Sequence, residues 1–110
     1  LRRAEPASRC VASVCTGSAL LARAGLLDGL RATTNKIAFD WVVSQGTGVH
    51  WVRRARWVED GKFFTSSGVS AGMDMTVALI AKFLGGAAAA EAARRAEYRW
   101  NADANDDPFA

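Results

Sequence analysis

Cys15 stands where a short apolar run, Cys10-Val11-Ala12-Ser13-Val14, meets a strongly helical run, Ser18 to Leu27. A strand that turns sharply into a helix at a nucleophilic side chain is a nucleophile elbow. The turn is tight, so small residues are expected beside the nucleophile. Ser13 and Gly17 supply them, two positions before and two after Cys15. The serine form of the motif carries glycine at both places, so Ser13 is a partial match. A thiol reacts as its thiolate, and N–H groups at a helix start favour an anion. The same groups can stabilise charge that forms on a substrate. A free cysteine also serves as a small buried hydrophobe. The turn pattern around Cys15 favours the reactive reading.

Other residues carry weaker signals. His50 is the only histidine, between Val49 and Trp51, and reads as structural or superficial. Two cysteines and one histidine lack the spacing of a metal site, so no metal and no cofactor is expected. Gly46-Thr47-Gly48 lacks the lysine and following helix of a phosphate loop. Arg53, Arg54 and Arg56 read as a solvated face, with an anion site as the sharper alternative. Asp74 reads as a helix-start acid explained by the dipole, with a place facing the pocket as the alternative. The four tryptophans, Trp41, Trp51, Trp57 and Trp100, read as core or dimer contacts, or as a wall for an apolar substrate. The acidic stretch Asp103 to Asp107 reads as a solvated end.

The 110 residues allow one small domain, and half of them are apolar. A net charge of +3 with scattered arginines does not suggest nucleic acid. Cys10 and Cys15 read as free thiols of a reducing compartment, so a cytoplasmic location is expected. No run is long and apolar enough for a membrane span, and no membrane partner is expected.

Elements that would position Cys15 follow from pattern. Leu1 to Ala7 reads as the tail of a helix stopped by Pro6 and Ser8. Arg9 to Val14 reads as a buried parallel strand, and Thr16 to Leu27 as a helix with Asp28-Gly29 as its stop. Leu30 to Thr34 is a second strand. Asn35 caps a helix over Lys36 to Val43. Val49 to Val52 and Ala55 to Glu59 are extended. Asp60-Gly61 is a hairpin turn, returning through Lys62 to Thr65. Met73, Val77, Ile80, Ala81 and Leu84 fall at helical spacing over Ser70 to Leu84. Gly85-Gly86 breaks that helix, and Ala87 to Arg99 forms the last one. Alternating strands and helices imply an α/β fold with a mainly parallel sheet. The helices carry more apolar surface than these strands cover. Further strands are therefore expected from before residue 1 or from another chain, and the start reads as a truncation.

With these elements placed, the sequence resembles the ThiJ/PfpI superfamily, whose fold is shared with class I glutamine amidotransferases. The resemblance is carried by Val11 to Ser18, Leu20 to Gly29, Ala32-Thr33-Thr34-Asn35, Arg56 to Gly68 and Ala71-Gly72-Met73-Asp74-Met75. Within the superfamily it is most similar to the isocyanide hydratase branch. The resemblance implies a flavodoxin-like three-layer sandwich, usually a homodimer, spanning residues 1–110 as the C-terminal part of one domain. It implies that Cys15 is the catalytic nucleophile and that Thr16 lies in the pocket, with its N–H available to developing charge. Gly17, Asn35 and Gly72 map to substrate-binding or oxyanion positions, Gly72 on a helix packed close to the cysteine turn. Many relatives carry histidine where Asn35 stands, so a Cys–His dyad is not expected. The family's acidic partner, and the glycine-rich loop that completes the oxyanion site, have no counterpart among these residues.

The resemblance implies hydration of a small isocyanide to an N-substituted formamide through a Cys15 thioimidate. A glyoxalase- or deglycase-like activity, a non-catalytic ligand sensor, a redox sensor and an inactive gene product are the competing readings.

Overall fold

The computed structural model describes all residues from 1 to 110. β5 (Phe63–Ser66) is the centre of the main sheet, and its residues are all buried. It pairs in parallel with β1 (Val11–Ser13), in the register Val11 to Phe63 and Ser13 to Thr65. On its other side it pairs antiparallel with β4 (Trp57–Asp60). β2 (Arg31–Ala32) and β3 (His50–Trp51) form a separate parallel ladder. Side chains tie that ladder to the main sheet. The Arg31 N–H donates to Asp60 Oδ2 at 2.9 Å, and the Thr33 N–H to Thr65 Oγ1 at 2.9 Å. Asp60 therefore does more than shape a turn.

The hairpin loop lies one residue later than the sequence pattern placed it. Asp60 is still paired with Phe63, so Gly61 and Lys62 form the loop. Gly61 takes φ +60 at its first position, which suits glycine in a two-residue hairpin. β1 is shorter than expected and has a neighbour on one edge only. The first residues form a single 3₁₀ turn, Glu5–Ala7, in place of a helix tail.

Successive residues of a strand face opposite ways, and β5 uses this to build two cores. Phe63 packs with Leu21, Ala22, Leu27, Ala32 and Val49 on one face. Phe64 packs with Trp57 and Met75 on the other. The first group includes α1 (Ser18–Arg23); the second includes α3 (Val69–Leu84). Helices thus flank the sheet on both faces, the α/β architecture expected. α1 is shorter than the expected helix over Thr16 to Leu27. A 3₁₀ turn, Cys15–Gly17, precedes it, and Gly25 leaves the helical region with φ +78. α2 (Phe39–Ser44) starts later than expected, because Asn35 Oδ1 accepts the Ala38 N–H and spends those residues on a side-chain turn. α4 (Gly86–Arg95) follows α3 directly after Gly85.

The tail after α4 is loop but not free. Ala104 O accepts the Arg56 N–H at 2.7 Å, and the Asp107 N–H donates to Arg54 O at 2.7 Å. Asp107 is buried, against the expectation of a solvated acidic end.

Candidate active site

β1 ends at Ser13, and two residues later the backbone inverts. Cys15 has φ +56, a left-handed conformation that non-glycine residues rarely adopt. Such strain persists only where surrounding bonds enforce it. They are present on both sides of the peptide. The Cys15 N–H donates to Ser67 O at 2.8 Å. The Cys15 carbonyl accepts the Thr34 hydroxyl at 2.7 Å and the Asn35 N–H at 3.3 Å. The Gly17 N–H donates to Val14 O at 3.0 Å and closes the turn into α1. Cys15 itself is half-buried and Thr16 is exposed. A half-buried cysteine on a short turn whose backbone is held on both sides matches the strand-to-helix turn expected from sequence.

The crowding lies elsewhere than expected. A Cβ at Gly17 would meet Ser13 Cβ at 3.5 Å, an ordinary contact. A Cβ at Gly72 would stand 2.6 Å from Val14 Cγ1. Gly72 is the position that lets α3 approach Val14, the residue before Cys15. Ser13 is buried beneath the turn, and its carbonyl accepts the Ser66 hydroxyl at 3.2 Å.

Asn35 comes to the cysteine through its backbone, while its side-chain Nδ2 lies 3.7 Å from the Cβ position of Gly68. A cavity of about 330 Å³ opens beside it, lined by Asn35, Lys36, Arg56, Ser67, Gly68 and Asp107 among others. Cys15 does not line this cavity but is bonded to two of its walls, Asn35 and Ser67. No tryptophan lines it, and Phe109 is its aromatic contact. Trp57 is core, whereas Trp41 is exposed.

Two acids behave differently from the sequence expectation. Asp74 is the sixth residue of α3, buried, and engaged by Arg56 Nη2 at 2.6 Å. It also accepts the Tyr98 hydroxyl at 2.7 Å and the Asn101 N–H at 2.9 Å. It is a structural anchor for the tail rather than a dipole partner at the helix start. Arg56 is likewise buried, not part of a solvated face. Burial, then the Asp74 carboxylate, pushes the Tyr98 pKa up. Asp107 lies 3.6 Å from Lys36 Nζ, with both side chains nearly sealed from solvent. Burial pushes the Lys36 pKa down, and Asp107 opposes that shift. No sequence signal links Lys36 to Asp107, because the pairing is long-range and neither residue sits in a motif.

His50 is exposed on β3, paired with Arg31, and is not among the groups holding the Cys15 backbone. Both cysteines are free thiols. Cys10 packs against the Trp57–Phe64–Met75 core, and burial raises its pKa. No three His, Cys, Asp or Glu side chains gather in a metal-binding group.

Residues 1–82 match the model of the DJ-1/PfpI family. The chain belongs to the DJ-1/PfpI family. It falls with the isonitrile hydratase-like branch: it is 39% identical over 85 residues to the isonitrile hydratase of Pseudomonas putida. That alignment takes in 77% of this chain and 36% of the hydratase. A ThiJ/PfpI family protein from Pseudomonas syringae superposes with a TM-score of 0.73 at 32% identity, over 86% of this chain and 38% of that one. A DJ-1 superfamily protein from Salmonella typhimurium gives 0.74 at 26% identity, over 90% of this chain and 52% of that one. This DJ-1/PfpI chain thus spans a little over a third of the hydratase it resembles.

Proposed function

We propose that this chain carries the nucleophile of a cysteine-dependent enzyme that hydrates isocyanides. The supporting observation is the left-handed backbone of Cys15, gripped by Ser67, Thr34 and Asn35 at the end of β1. The likeness to an isonitrile hydratase supplies the substrate class.

In this reading the Cys15 thiolate attacks the terminal carbon of R–N≡C. An S–C bond forms as that carbon takes a proton, giving a thioimidate. Water adds to the C=N carbon and the nitrogen is protonated. The new hydroxyl then gives up its proton as the C=O forms, the S–C bond breaks, the thiolate leaves, and R–NH–CHO is released. The Thr16 N–H, next after the nucleophile, faces charge that builds on the substrate. Gly17 closes the turn into α1 through its N–H, Gly72 admits α3, and Asn35 lines the adjoining cavity. Asp74 is committed to Arg56 and Tyr98, so proton transfer falls to an acid outside these residues. No cofactor takes part. The enzyme works as a homodimer in the cytoplasm.

Cys15→Ala should lower turnover of an alkyl isocyanide by roughly 10³-fold or more. Intact-mass spectrometry of the wild type under turnover should show the substrate mass added to the Cys15 peptide. Full activity in the alanine variant would overturn the mechanism. Methylglyoxal assayed in parallel separates hydration from the glyoxalase-like reading, because both need Cys15 but only one consumes the aldehyde.

A further inference from the structure

One buried charge has no part in this chemistry and yet sits a single peptide away from it. Lys36 Nζ donates to Thr33 Oγ1 at 2.8 Å, to Thr34 O at 3.1 Å and to Ala55 O at 2.8 Å. An ammonium has three donors, and here each has an acceptor. Two of the acceptors, Thr33 and Thr34, belong to the segment that leaves β2. That same segment grips the nucleophile, through the Thr34 hydroxyl and the Asn35 N–H on the Cys15 carbonyl. The third acceptor, Ala55, lies on the approach to β4. Thr33 Oγ1 in turn donates to Val52 O at 2.8 Å. Asp107, from the far end of the chain, supplies the countercharge.

We propose that Lys36 is a positioning residue for Cys15: its ammonium pins Thr33 and Thr34, and they hold the Cys15 carbonyl in the left-handed turn. This rests on the reading of Cys15 as nucleophile, but it can be tested without turnover. A left-handed cysteine relaxes toward the ordinary backbone regions once its carbonyl is released. The Asn35 N–H then loses its acceptor, and the Cys15 N–H loses its alignment on Ser67. A structural lysine of the usual kind would instead loosen the whole domain.

The experiment is amide hydrogen exchange on Lys36→Met, which keeps the stem and removes every donor. The amides of Cys15 and Asn35 should exchange at least about tenfold faster, while those of Phe64 and Val58 in the hairpin keep their wild-type rates. In Lys36→Ala, propylammonium should enter from the adjoining cavity and restore slow exchange at Cys15 and Asn35. Tetramethylammonium, which has charge but no donor, should not. Unchanged exchange at both amides, uniform acceleration across the domain, or equal effects of the two cations would each overturn the proposal. If Lys36→Met does not fold, Lys36→Gln, which keeps one amide donor group, reads the same two amides. An intermediate acceleration there supports the assignment and a wild-type rate refutes it. Because exchange is read from the protein alone, loss of the isocyanide reading would leave this result standing.

Discussion

At the scale of single residues, the site is a conformational problem solved by hydrogen bonds. Cys15 carries a side chain at φ +56, where glycine would fit without strain. Cys15→Gly should therefore be more stable than Cys15→Ala by about 1 kcal/mol, because only alanine keeps the left-handed penalty. Urea denaturation of the two variants checks this, and equal midpoints would show that the turn is not strained. Gly72 poses the converse case. Its missing Cβ would lie 2.6 Å from a methyl group of Val14, a side chain with little χ1 freedom. Gly72→Ala should cost about 1–3 kcal/mol, the usual range for overpacking. Adding Val14→Ala should recover part of it, since the clash is with the valine methyl rather than with backbone. A double-mutant cycle reads the coupling. Additive losses would place the cost of Gly72→Ala somewhere other than at the elbow.

At the scale of elements, Lys36 shows how one loop couples chemistry to stability. Its folded pKa is lowered from 10.5, chiefly by burial. Below the folded value both states bind the proton, and the folded state bears the full burial penalty. As pH rises from the folded value toward 10.5, the folded form sheds its proton first, so this group's contribution makes the protein more stable with rising pH. Cys10 and Tyr98, both raised, act in the opposite sense above 9.0 and 10.0. The stability difference between wild type and Lys36→Met cancels those two. It should shift in favour of the wild type as pH climbs to 10.5, and a flat difference would contradict the burial of the charge. The sequence made some of these elements legible and hid others. Periodicity over Ser70 to Leu84 found α3 to within one residue, because a long helix repeats its signal. The turn at Cys15 was readable because a strand end, a cysteine between small residues and a helix start are all local. Asn35 looked like a helix cap, but its side chain turns the chain before α2 begins. Arg56 and Asp107 looked like solvated charge, and Asp74 like a helix-start acid. Their partners lie 18 or more residues away, and no local pattern records such pairings.

At the scale of the whole molecule, the shape is flat. Its extents are 39 × 34 × 17 Å, and its accessible surface is 6412 Å² against about 5,900 Å² expected for 11.7 kDa. The excess has a location. β1 has one open edge, with Ala12 and Val14 exposed beside it. On α3, Val69, Met73, Ile80 and Leu84 repeat at helical spacing along one side, and Val69 and Leu84 are 72% and 74% exposed. An exposed apolar stripe of this kind calls for a covering surface. In the homodimer proposed above, the stripe of one copy would lie against that of the other under two-fold symmetry. Sedimentation velocity should then show a dimer that dissociates on dilution. Ile80→Glu, in mid-stripe and only partly buried, should stay monomeric at concentrations where the wild type pairs. Its amide exchange at Cys15 should match the wild type, since the elbow bonds lie at the other end of α3. If Ile80→Glu sediments as the wild type does, the dimer contact is elsewhere, and the open edge of β1 becomes the surface to substitute next.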